Sequence, residues 1–176
     1  MLRILAIPGS LRQTSTNKTL LKAVAALAHQ DVEVVLYEDI GLLPHFNPDL
    51  EVPEPQAVTH FKAQLKRADG LLICSPEYAH GVPGTLKNAL DWLVGGVEGE
   101  IVGKPTALLK ACPESTYAQE SLAETLRTMC ARLVPEASVA VNLRGKRVTE
   151  EDILKDPEMA GVLTQALEVF TKVIRG

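Results

Sequence analysis

A doubly wound α/β fold, a parallel sheet with helices on both faces, is what this 176-residue chain predicts. Three observations lead there. Short apolar runs alternate with amphipathic stretches along nearly the whole length, and most connections between them are short. Runs such as residues 70–75 (GLLICS) are apolar without alternation, as strands buried on both faces are. Parallel neighbours need crossovers, and helices supply them.

The first unit is a strand over residues 2–7 and a helix over 15–29, whose apolar stripe is Leu20, Leu21, Val24, Leu27 and Ala28. A second strand over 32–37 leads through a Pro-rich connection, 43–55, to a helix over 57–68 that faces Val58, Phe61 and Leu65 inward. The third strand covers 71–74 and the third helix 84–93. Pro83 suits the first turn of that helix, where a missing N–H costs nothing, and Leu86, Ala89, Leu90 and Leu93 share one face. After a glycine-rich bend (Gly95, Gly96, Gly99, Gly103) come a strand over 105–109 and a helix over 118–131. A strand over 138–141 and a helix over 157–173 close a single domain spanning 1–176, with no internal repeat. The 43–55 connection, with four prolines, is the only long irregular one. It is expected to be ordered against the rim of a site or a partner subunit.

A net charge of −4 with dispersed Lys and Arg argues against a nucleic-acid surface. The apolar runs are strand-sized, so no membrane span is expected, and the N-terminal run is interrupted by Arg3 and ends at Pro8 and Gly9, a poor signal-peptide core. A cytoplasmic protein is the expectation. Cys74, Cys112 and Cys130 make no CxxC pair and no disulfide framework. Cys74 and Cys130 read as small core residues, whereas Cys112 falls in a loop near the expected ligand. His29, His45, His60 and His80 lack metal-ligand spacing, so no metal is assigned.

In such folds ligands bind beyond the carboxyl ends of the strands, where the strand order reverses. Two loops there carry chemistry. Residues 9–20 (GSLRQTSTNKTL) suit an anion: Ser10, Ser15, Thr16 and Asn17 offer hydroxyl or amide donors, Arg12 offers a guanidinium, and a helix N-terminus points its free N–H groups into the same space. Residues 76–93 (PEYAHGVPGTLKNALDWL) place a turn between a buried strand and an amphipathic helix. Its backbone groups cannot all pair internally and suit a planar polar ligand.

These segments resemble the NADPH-dependent FMN reductase family, which includes chromate, quinone and azo-dye reductases. The GSLRxxSxN loop is met by Gly9, Ser10, Leu11, Arg12, Ser15 and Asn17. The PEYxxxxPGxLKNxxDW turn and helix are met by Pro76, Glu77, Tyr78, Pro83, Gly84, Leu86, Lys87, Asn88, Asp91 and Trp92. The resemblance implies a flavodoxin-like sheet of order 2-1-3-4-5, with the switch point between the first and third strands. It implies FMN, its phosphate on Ser10, Arg12, Ser15, Thr16 and Asn17 and its ring edge on Pro76, Glu77, Tyr78, Ala79 and His80. It also implies NADPH or NADH as co-substrate and no catalytic side chain, since the flavin N5 carries the hydride. A ping-pong transfer to a quinone, flavin, azo or metal-oxyanion acceptor follows, as does a homodimer or homotetramer with Lys87, Asn88, Asp91 and Trp92 at subunit contacts. Two features depart from the pattern. Ala79 stands where many members carry Asn, and residues 110–119 (KACPESTYAQ) lack the Gly-Gly turn often found beside the flavin. An electron carrier that never meets nicotinamide and a flavin-free binding module therefore stand as alternatives.

Overall fold

The structure is a computed structural model that describes residues 1–94 and 99–176; Gly95 and Gly96 of the glycine-rich bend lie outside the described residues. Five strands, β1 (Leu2–Pro8), β2 (Val32–Leu36), β3 (Gly70–Cys74), β4 (Pro105–Leu109) and β5 (Arg132–Leu133), pair in parallel in the order β2-β1-β3-β4-β5. The helices are α1 (Thr16–Leu27), α2 (Gln56–Arg67), α3 (Gly84–Val94), α4 (Tyr117–Thr128), α5 (Glu150–Lys155) and α6 (Pro157–Arg175).

Side-chain alternation along the central strands splits the core in two. Ile4 and Ala6 of β1, Leu72 and Cys74 of β3, and Ala107 and Leu109 of β4 meet α1, α5 and α6 on one face. Leu5, Ile7, Leu71, Ile73 and Leu108 meet α2, α3 and α4 on the other. This accounts for the unbroken apolar runs, since both faces of the central strands are covered. Because β1, β3 and β4 are neighbours, the loops leaving their carboxyl ends lie side by side.

Two expectations need correction. The last strand is Arg132–Leu133 and not residues 138–141. Pro135 opens a 3-10 turn, Pro135–Ala137, which interrupts pairing after Thr106↔Leu133. The chain then returns to the sheet in a single bridge, Lys110↔Ala140. Across the break Ser138 Oγ accepts the Leu108 N–H at 3.0 Å and donates to Val134 O at 2.9 Å, so the ladder group of β4 stays paired. Cys130 is exposed with φ 60°, beyond the end of α4 in the left-handed position that often follows a helix, and is no core residue. The 43–55 connection and the polar side of α3 engage each other: Pro44 O accepts from Trp92 Nε1 (2.8 Å) and Asn88 Nδ2 (3.0 Å), and Asn88 Oδ1 accepts the Phe46 N–H (2.8 Å). Trp92 is buried, with Phe46 edge-on at 5.1 Å. Asn88 and Trp92 thus hold the chain's own proline-rich segment, while Lys87 and Asp91 form an i,i+4 ion pair on the surface.

Candidate active site

The loop after β1 is pressed against β3. A Cβ on Gly9 would stand 2.5 Å from Ser75 Oγ and 2.8 Å from Ser75 Cβ, so only glycine permits this approach. Ser15 occupies the N-cap position of α1, buried and extended, yet its hydroxyl makes no capping hydrogen bond. On α6 Asp156 accepts from Glu158 and Met159 N–H, and on α5 Thr149 and Asp152 form a capping box, whereas α1, like α2 behind Pro55, has no side-chain cap. The first turn of α1 thus has no side-chain cap, and free N–H groups at a helix N-terminus, with its positive dipole end, attract anions.

Around that turn the other predicted donors are unevenly committed. Ser10 is buried, its Oγ 3.3 Å from Tyr78 Oη and accepting the Arg12 N–H. Arg12 is exposed, and among the described residues its guanidinium donates to Thr14 Oγ1 alone, at 3.3 Å. Thr16 is half-buried at the cleft wall. Asn17 is buried, and its Oδ1 accepts the Cys74 thiol at 3.2 Å, which leaves its amide nitrogen without a partner among the described residues. Burial raises the pKa of Cys74 far above the ordinary thiol range, so it remains the donor in that contact.

The turn after β3 closes through Tyr78 N–H to Gly81 O (3.1 Å) and Gly81 N–H to Tyr78 O (2.9 Å), with Ala79 at φ 49° and His80 at φ 61°. Positive φ at both central positions belongs to a type I′ turn, which prefers Asn, Asp or Gly. Here neither residue is one of these, so the turn is held under strain. Ala79→Asn should relieve part of it and raise stability by about 0.5–1 kcal/mol, read from chemical denaturation; an unchanged or lower value would refute the strain. The N–H groups of Glu77, Ala79 and His80 have no hydrogen-bond partner among the described residues.

Sequence reasoning missed how this turn is tied to the loop after β4. Glu77 Oε2 accepts the Ala118 N–H at 2.9 Å, capping α4 from another loop, where Thr116 provides no cap of its own. His80 stacks on Tyr117, centroids 4.3 Å apart and planes at 19°. Both contacts involve residues about forty positions apart, which no local pattern encodes. Within residues 110–119, Lys110 Nζ donates to Pro113 O (3.3 Å) and the Cys112 thiol donates to Glu114 Oε2 (3.0 Å). That bond, with the Glu114 backbone N–H, holds the Glu114 carboxyl below its usual pKa.

A cleft of about 850 Å³ runs from Arg12, Thr14, Thr16 and Thr19 across Ala111 and Cys112 to residues 143–149. The last stretch was not singled out in the sequence; only the fold brings it beside the first loop.

A family model described as NADPH-dependent FMN reductase matches residues 2–145. An NAD(P)H-dependent FMN reductase of Pseudomonas aeruginosa is 30% identical over 182 residues, covering 99% of this chain and 98% of that protein. A 2-hydroxy-1,4-benzoquinone reductase of a Burkholderia species is 44% identical over 110 residues, a match spanning 58% of this chain and 60% of that protein. Among solved structures, the flavoenzyme NAD(P)H:(acceptor) oxidoreductase FerB of Paracoccus denitrificans superposes with a TM-score of 0.81 at 26% identity, over 99% of this chain and 98% of that one.

Proposed function

Because this chain belongs to the NADPH-dependent FMN reductase family, we propose that it is an FMN-dependent NAD(P)H oxidoreductase acting on quinone-type acceptors. The observation that carries the reading is the uncapped first turn of α1, with the unengaged Ser15 hydroxyl beside it. It fits a phosphate monoester. Ser10, Thr16, the free amide of Asn17 and the guanidinium of Arg12 would complete the phosphate's donors.

The backbone N–H groups of Glu77, Ala79 and His80 would take the polar edge of the isoalloxazine, and Pro76 with the Tyr78–Gly81 turn would fix their direction. Tyr78, half exposed and reaching Ser10, would join the ring end of the site to its phosphate end. When bound, FMN would supply the redox chemistry between NAD(P)H and the acceptor, in a ping-pong scheme. The unpaired N–H groups of the turn would offset negative charge that develops at the ring edge. No side chain needs to act as acid or base. Quinones are the favoured acceptors because the Burkholderia relative is a quinone reductase; azo and metal-oxyanion acceptors, a homodimer or homotetramer, and a cytoplasmic setting rest on family resemblance. No helix among the described residues is long and apolar enough to cross a membrane.

An anaerobic absorption spectrum of protein saturated with FMN and freed of excess, recorded before and after NADPH, tests the proposal. Retained flavin should bleach. Flavin that stays oxidised with both NADPH and NADH would favour an electron carrier, and loss of the flavin would favour a binding module.

A further inference from the structure

The wall of the cleft opposite α1 has a composition that the flavin phosphate does not account for. Arg144, Lys146 and Arg147 line it, facing Arg12 across the opening, and no carboxylate is among the lining residues. Gly145, at φ 68°, lets the backbone turn between these cations. Arg144 has one weak ion pair, 4.0 Å from Glu114, while the side chains of Lys146 and Arg147 have no hydrogen bond or ion pair among the described residues. Of the three acids on the first turn of α5, Asp152 is held in its capping box and Glu151 pairs with Lys155, while Glu150 is not among the residues lining the cleft. Thr14, Thr16, Thr19 and Thr149 add hydroxyl groups to the lining.

One phosphate dianion at the α1 N-terminus is matched by Arg12 and the helix dipole. Three further cations on the facing wall exceed that need, and the opening, at about 850 Å³, has room for more than one phosphate. Unpaired like charges facing one cleft repel one another unless an anion sits among them. Resting on the flavin-dependent reading, we infer that Arg144, Lys146 and Arg147 form a second phosphate subsite. It takes the 2′-phosphate of NADPH and sets preference for NADPH over NADH. That phosphate is the sole chemical difference between the two dinucleotides, and a guanidinium beside an ammonium recognises a phosphomonoester by paired charge-assisted bonds.

Titration calorimetry of NADP⁺ and NAD⁺ on the FMN-saturated protein tests this with Lys146→Ala, Arg147→Ala and the double variant, all at exposed positions. The ratio of NADP⁺ to NAD⁺ affinity should fall about tenfold for each cation removed. FMN and riboflavin affinities are measured on the same variants. A selective loss of FMN over riboflavin with the dinucleotide ratio unmoved would assign these cations to the flavin phosphate and overturn the subsite. An unmoved ratio with unmoved flavin binding would overturn it as well. A wild-type protein that holds no flavin would instead overturn the reading on which the subsite rests.

Discussion

Arg12→Ala should weaken FMN binding by about 1.5–3 kcal/mol, one to two orders of magnitude in affinity, while riboflavin binding barely changes. The guanidinium is exposed and, among the described residues, its one hydrogen bond is a long one to Thr14 within the same loop. Its removal strands no buried group and should leave the fold intact, so a change in affinity reports the ligand alone. Fluorescence quenching of each flavin, titrated with wild type and variant, gives both constants. Equal weakening of FMN and riboflavin, or no change in either, would remove Arg12 from the phosphate site.

Gly9→Ala should be damaging in a different way, costing about 1–3 kcal/mol of stability and most of the flavin affinity. The new methyl would meet Ser75 Oγ at 2.5 Å, Cβ at 2.8 Å and Cα at 3.0 Å. Ser75 Oγ can rotate away, but Cβ and Cα are fixed to β3. The ends of β1 and β3 must therefore separate, and the Gly9 N–H bond to Cys74 O, 2.9 Å long, is strained with them. Ser75→Gly in the same chain removes two of the three obstructing atoms. A double-mutant cycle on denaturation midpoints should show the second substitution recovering most of the loss; strict additivity would show that Gly9 is not constrained by Ser75.

Two motifs of the sequence place the loops that the fold sets side by side, because each encodes a local event: a strand end, a tight turn and a helix start. β4 is legible to the residue, since Pro105 opens an apolar run. The fifth strand is not, because its pairing residues Arg132 and Leu133 are only two and stand before Pro135, while the more strand-like residues 138–141 make one bridge. α5 escapes notice because six residues carry too little periodicity, although its capping box can be read from Thr149 and Asp152. Cys130 looks helical until its positive φ ends α4 one turn early. Within the site, Ser15 and Asn17 are legible as polar groups at a helix start, but not that one keeps its hydroxyl unengaged while the other gives its carbonyl to the Cys74 thiol. The roles of Glu77, His80 and the 144–147 cations depend on contacts between distant segments, which single-chain patterns do not carry.

The interrupted margin of the sheet beside β4 also bears on how the molecule behaves in a crowded solution. A long, flat outer strand offers a row of open backbone groups to any extended peptide, including another copy of itself. Here that row is two residues long, then bent away by Pro135, with Ser138 filling the vacated position on β4. An approaching strand finds no continuous template on that side. The chain thus keeps a solvent-facing sheet margin without offering a seed for intermolecular β-pairing, and the side chain that repairs the ladder within the monomer is also the one that denies the position to a neighbour.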